Sequence, residues 1–187
     1  MTRRTGPWTI VVAALVVLGS ASASAQGTSY HSFATGFAGA TWGGDLPRSS
    51  LALGAAVTVN EESGWGADMD FSFSDDDSTQ RALDVAVFMI DANWTKPHGF
   101  WRPYFSGGVG ALRLHGCILD CPKVSSTTDF GLNAGGGTFV TITDVLFVRG
   151  EAKYLWAPGQ HSDSLRPDNY GFWRATIGFT FMWTLVP

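Results

Sequence analysis

The chain has 187 residues, with 12 lysines and arginines against 16 aspartates and glutamates, a formal net charge of −4. That length fits one domain, and the acidic balance excludes a basic face for nucleic acid. Hydrophobic residues make up 45% of the chain, yet beyond the first residues no apolar stretch reaches the about 20 residues of a spanning helix, which excludes a helical membrane protein.

Arg3 and Arg4 are followed by an apolar run from Trp8 to Leu18 and then by GSASASAQ, with Ala23-Ser24-Ala25 as a small-x-small site. This three-part pattern is that of a secretory signal peptide, and its apolar run is too short for an anchor that spans. Residues 1–25 are expected to be removed, leaving one domain over 26–187. Both signal arginines leave with them, so 10 basic and 16 acidic residues remain, a net charge of 10 − 16 = −6.

From there on the chain shows no stretch with helical periodicity. Period-two segments of about ten residues recur instead, broken by turn residues. They predict strands over about 30–42, 51–60, 65–74, 81–95, 102–115, 130–143, 145–156 and 171–183. In the second, Leu51, Leu53, Ala55, Val57 and Val59 oppose Ala52, Gly54, Ala56, Thr58 and Asn60. The third sets Trp65, Ala67, Met69, Phe71 and Phe73 against Gly66, Asp68, Asp70, Ser72 and Ser74. In the fourth, VAVFMI (85–90) is apolar on both faces, which leaves its facing open and allows a bulge. The sixth sets Leu132, Ala134, Thr138, Val140 and Ile142 against Asn133, Gly135, Gly137, Thr141 and Thr143. The seventh sets Leu146, Val148, Ala152, Tyr154 and Trp156 against Arg149, Glu151 and Lys153. In the last, Trp173, Ala175, Ile177, Phe179, Phe181 and Trp183 oppose Arg174, Thr176, Gly178 and Thr180.

The connections alternate long and short. GGDLPRSS, DDDSTQ, HGCILDCPKVSSTTD and APGQHSDSLRPDNY are long; EESG, KPHGF and the two-residue Thr143-Asp144 are short. Four long loops and three short turns between eight antiparallel strands are the pattern of an up-and-down transmembrane barrel with both chain ends on the turn side. The aromatic residues sort accordingly. Trp42, Trp156 and Trp173, with Tyr154 and Tyr170, fall at the loop ends of strands; Trp65, Trp94, Trp101 and Trp183, with Tyr30 and Tyr104, fall at the turn ends. Two aromatic belts one strand apart are what bilayer interfaces select.

The whole stretch after the signal resembles the small eight-stranded outer-membrane barrels of the OmpA, OmpX and OmpW type, through RPYFSGGVGALRL (102–114), VRGEAKYLW (148–156) and the terminal GFTFMW. The resemblance implies an all-β, antiparallel transmembrane barrel in the outer membrane of a Gram-negative bacterium, exported through the general secretory route. It implies a monomer without cofactors, surrounded by outer-membrane lipids and lipopolysaccharide. In that family the last strand is read by the barrel-assembly machinery. Thr176, Gly178, Phe181 and Trp183 match that insertion signal, although many members end on the final aromatic, whereas here Thr184 to Pro187 follow.

The inward polar set expected from the pattern is Asp68, Asp70, Asn133, Arg149, Glu151, Lys153 and Arg174. Strands seven and eight are neighbours, so their charges can join one network. A plug of paired charges is one reading, since an unpaired buried charge costs several kcal/mol, and a narrow ion path is the other. Cys117 and Cys121, in GCILDCP, are expected to form a disulfide, the default in an exported chain. Free thiols are the alternative, and a metal site would need more ligands than these two. The run Asp75-Asp76-Asp77 reads as a solvated loop tip or a divalent-cation contact to lipopolysaccharide. QHSDSLRPDNYG (160–171) faintly resembles lipid A deacylases. Those enzymes space His and Ser two apart on one strand face, however, while His161 and Ser162 are adjacent and Ser164 would need a loop conformation. AGGGT (134–138) lacks the lysine and helix of a phosphate loop and reads as room for large neighbours. Together these readings describe a non-enzymatic barrel without a metal. Its role is structural or one of surface contact through the loops 116–129 and 157–170, with a small pore for ions or apolar solutes as the alternative.

Overall fold

The computed structural model describes residues 30–44, 46, 49–75, 83–116, 125–158 and 169–185. Eight strands follow in chain order: β1 (Tyr30–Trp42), β2 (Ser50–Glu61), β3 (Trp65–Asp75), β4 (Leu83–Thr95), β5 (Trp101–Gly116), β6 (Ser125–Thr141), β7 (Leu146–Pro158) and β8 (Asn169–Leu185). Each pairs antiparallel with its sequence neighbours, and β8 closes on β1 through a register running from Tyr30↔Leu185 to Trp42↔Trp173. Closure leaves no strand edge unpaired, the condition for a sheet whose outer face meets hydrocarbon.

The turns at one end are short and specified by local chemistry. Gly64 adopts a positive φ of 91° between β2 and β3, where its N–H donates to the Glu61 carbonyl at 2.9 Å. Between β6 and β7 the expected two-residue turn is in fact four residues, Ile142 to Val145. The Thr143 hydroxyl accepts the Leu146 N–H at 3.1 Å, and the N–H groups of Ile142 and Thr143 donate to the Leu146 carbonyl. That hydroxyl cap ends the β6–β7 pairing at Thr141↔Phe147, while the Val145 carbonyl still accepts the Met182 N–H of β8 at 2.8 Å. β6 begins at Ser125, earlier than the alternation suggests. Its first residues, Ser125 to Asp129, are all polar in sequence, without alternation, and their backbone pairs with the end of β5.

The pattern of burial is inverted relative to a water-soluble domain. Phe179 and Ile177 are about two-thirds exposed, at 67% and 65%, while Asp68, Asp70, Lys153 and Arg174 are at most 2% exposed. An apolar outer face and a polar interior are the signature of strands that meet lipid outside. The tryptophans border this band. Trp42 and Trp173 pair across the β1–β8 seam, with Tyr154 packed on Trp173 at 5.2 Å between ring centroids. At the turn end Phe105 stacks on Trp94 and meets Trp65 edge-on. Trp101 and Trp183 are exposed at the same end, as Trp156 is at the other.

Two tyrosines expected in these belts are elsewhere. Tyr104 and Tyr170 stand on the inner face and are buried, because each lies one position out of phase with the outward residues of its strand. Ile177 sits at the middle of β8 on the outer face. Replacing it by arginine is expected to cost about 2–4 kcal/mol in vesicles, read as a lower urea midpoint, while the same change at lumen-facing Thr176 should follow different rules.

Candidate functional site

The inner faces build three tiers along the barrel axis. At the loop end Val85, Val87, Met89, Leu112, Leu155 and Phe172 form a buried apolar cluster that Leu46 and Leu114 extend. At the turn end Phe33, Tyr104, Phe139 and Phe147 form an aromatic cluster, with Phe33 and Phe139 stacked at 5.4 Å and Tyr104 against Phe139 at 5.1 Å. Between them lies a layer of charges.

That layer brings together the six charged residues expected from the alternation, contributed by β3, β7 and β8, and adds a seventh. Arg149 makes a two-pronged contact with Asp68, at 2.9 and 3.2 Å, and also contacts Glu151. Arg174 grips Asp70 in the same way, at 2.7 and 3.0 Å, and donates to Ser72 and Glu151. Forked guanidinium–carboxylate pairs of this kind fix direction as well as charge. Lys153 stands at the centre. Its Nζ lies 2.6 Å from Asp91, 2.9 Å from Asp70, 3.4 Å from Glu151 and 3.5 Å from Asp68. The carboxylate oxygens of Asp68, Asp70 and Asp91 come within 4.8 Å of one another, a spacing that could hold a metal ion, and the lysine ammonium already bridges all three.

Asp91 is the member that sequence reasoning missed. It lies on β4, whose facing the alternation leaves open because the inner residues Val85, Val87 and Met89 belong to the apolar tier. The structure settles it: odd-numbered residues from Val85 to Thr95 face inward, and the pairing with β3 and β5 runs through the strand without a bulge. One signal is present in the sequence: Asp91, Asn93 and Thr95 share one face of the strand, and three polar residues in a row belong on the face away from lipid.

Tyr104 joins the charge layer to the aromatic tier. Its hydroxyl donates to Glu151 at 2.7 Å and accepts from Arg149 Nε at 2.7 Å, and the Arg149 guanidinium lies 5.0 Å from its ring centre. The glycines of AGGGT make this geometry accessible. Tyr104 is the cross-strand partner of Gly137, and a Cβ there would meet the tyrosine at 2.8 Å from its oxygen. Lys153 likewise crosses Gly135, where a Cβ would meet its Cγ at 2.7 Å. Of the residues matched to an insertion signal, Phe181 and Trp183 face outward, whereas Thr176 and Gly178 face the lumen. Gly178 packs against Phe37, whose ring lies under the Arg174 guanidinium at 5.4 Å.

Several expectations fall outside the described residues: the signal peptide, the Cys117–Cys121 pair, Asp76 and Asp77, and His161, Ser162 and Ser164.

The family model described as outer membrane protein beta-barrel domain matches residues 11–183. No curated protein matches the sequence. Among solved structures, the chain is similar to the attachment invasion locus protein Ail of Yersinia pestis in complex with the heparin analogue sucrose octasulfate, at 14% identity and a TM-score of 0.56, covering 83% of this chain and 99% of that one. It is also similar to the N-terminal β-barrel domain of Pseudomonas aeruginosa OprF, at 14% identity and a TM-score of 0.52, covering 83% and 97%. Neisserial surface protein A follows at 12% identity and a TM-score of 0.55, covering 82% and 95%. At these identities the likeness is one of fold.

Proposed function

The chain belongs to the outer membrane protein β-barrel family, and from that premise we propose that it is a non-enzymatic surface protein of the Gram-negative outer membrane that acts through the segments joining its strands at the loop end. The observation that carries this reading is the filled lumen. A layer of four carboxylates bridged by three cations lies between two apolar tiers, and an eight-stranded barrel has an interior just wide enough for its side chains. Contact with other molecules then falls to the outer end.

Those joining segments, 43–49, 76–82, 117–124 and 159–168, hold six acidic and four basic residues. The Ail structure holds a heparin analogue, but a surface of this balance disfavours a polyanion and suits lipopolysaccharide through bridging divalent cations, or a protein of mixed charge. The last strand, with Phe181 and Trp183 outward, supports recognition by the barrel-assembly machinery during insertion.

Two measurements test the reading. Protein purified from outer membranes and reconstituted in a planar bilayer is expected to give no conductance steps, with folding verified by heat-dependent migration on a detergent gel. Reproducible steps that change on replacing Arg149 would move the function into the lumen. In parallel, cells carrying the protein with 117–124 and 159–168 replaced by glycine-serine segments should lose attachment to the surfaces that the unaltered protein binds. Equal attachment would overturn the surface role.

A further inference from the structure

On the wall formed by β4, β5 and β6, the charge layer is followed toward the turn end by polar side chains rather than rings. Asp91, Gly108 and Asn133 form one row across these strands, and Asn93, Ser106 and Gly135 form the next. Asn133 donates its Nδ2 to Asp91 at 2.6 Å, which leaves its Oδ1 without a hydrogen-bond partner in the protein. Asn93 is 3% exposed and neither amide atom has a partner; the Ser106 hydroxyl opposite it is also unpartnered. Asn60 Oδ1 overlies Gly66, the cross-strand neighbour of Asn93, and it too is unpartnered. Leaving a buried polar group unsatisfied costs about 1–3 kcal/mol, so several on one wall point to a ligand that they share.

The charge balance says which kind. Asp68 and Asp70 on β3, Asp91 on β4 and Glu151 on β7 face Arg149 and Lys153 on β7 and Arg174 on β8. Four carboxylates meet three cations, a formal surplus of one negative charge among side chains that are at most 7% exposed. Among the described residues, β1, β2, β5 and β6 contribute no ionised side chain to this layer. Asn93 and Ser106 are direct cross-strand neighbours, with Cβ atoms about 4.5–5.5 Å apart, and in the adjacent row Asp91 and Asn133 already meet over Gly108 at 2.6 Å, so the four side chains border one small polar space. Oxygen-only coordination is what hard cations select.

We propose that this wall binds one hard monovalent cation of the sodium type, held by Asp91, Asn93, Ser106 and Asn133, with Asn60 and Thr95 lining its approach from the turn end. The cation neutralises the surplus charge and satisfies the orphaned amide and hydroxyl oxygens together. A divalent ion would overshoot the balance by one.

The test uses protein purified from outer membranes and reconstituted in phosphatidylcholine vesicles, with unfolding by urea followed through tryptophan fluorescence. Sodium chloride is compared with choline chloride at equal ionic strength, which holds screening constant. The urea midpoint is expected to rise by about 1 M in saturating sodium, the size of shift that mass action gives near a hundredfold excess over the dissociation constant. Asp91→Asn balances the layer and should remove the dependence on sodium. Asn93→Ala keeps the surplus charge but loses a ligand, and should raise the sodium concentration for half effect at least tenfold. The proposal is overturned by equal midpoints in the two salts, by Asp91→Asn retaining the shift, or by a midpoint that follows pH and ignores sodium, since a proton would then carry the balance. Should Asp91→Asn not fold, the Asn93→Ala titration decides: an unchanged half-effect concentration also overturns it.

Discussion

Lys153→Met is expected to lower the stability of the barrel by about 3–5 kcal/mol, the usual cost of stripping one partner from a buried ion pair. Lys153 is 0% exposed and its ammonium is shared among four carboxylates. Its removal leaves Asp68, Asp70, Asp91 and Glu151 facing two guanidinium groups. Of its two hydrogen-bond partners among the described residues, Asp91 would then keep the Asn133 amide. In vesicles the loss would appear as a sharply lowered urea midpoint or as failure to reach the folded, heat-modifiable form. The informative variant is the double one. Lys153→Met combined with Asp91→Asn removes a charge of each sign and should recover part of the loss. If the double variant is no better than the single one, the lysine acts through its methylene packing and not through its charge.

Gly137→Val is expected to cost about 3–5 kcal/mol by a different route. The Tyr104 ring lies over Gly137, and a Cβ at that position would come within 2.9 Å of its Cε1 as well as close to the Gly150 carbonyl oxygen. Overpacking a filled interior costs about 1–3 kcal/mol. A displaced Tyr104 would also surrender its bonds to Glu151 and Arg149, each worth about 1.5–3 kcal/mol when the partner is charged. Tyr104→Phe separates the two contributions, since it loses the bonds without the clash. Combined with Gly137→Val, Tyr104→Ala should relieve the ring's part of the clash and leave the still closer approach of an added Cβ to the Gly150 carbonyl oxygen. If the urea midpoint of Gly137→Val is that of the unaltered protein, Tyr104 does not need the slot.

The fold was legible because the pattern it requires is strict. A strand with lipid outside and packed side chains inside must alternate, and Leu51, Leu53, Phe71, Phe73, Ile177 and Phe179 do so without exception. The candidate site was legible where charge interrupts that alternation, at Asp68 and Asp70 and from Arg149 to Lys153. It was not legible at Asp91, because a strand that lines the apolar tier has hydrophobic residues on both faces. Nor was it legible at Tyr104, because tyrosine suits an interfacial belt as well as a buried charge layer. The β6–β7 turn escapes the alternation for a third reason: Ile142 and Val145 look like strand residues, and the Thr143 hydroxyl that caps the turn leaves no periodic trace.

By itself, then, the sequence determined the number of strands, which face of most of them meets lipid, and which end carries the long connections. These follow from local rules, since each strand obeys the period of two and each turn its own residues. Only the closed tertiary structure decided who meets whom inside. Asp70 and Lys153 are 83 residues apart, and Asp91 and Asn133 are 42 apart. Their contact depends on the register of every strand between them and on glycines that let long side chains cross the lumen. Register sums over the whole ring, so the pairing of the charges is a property of the barrel and of none of its strands alone.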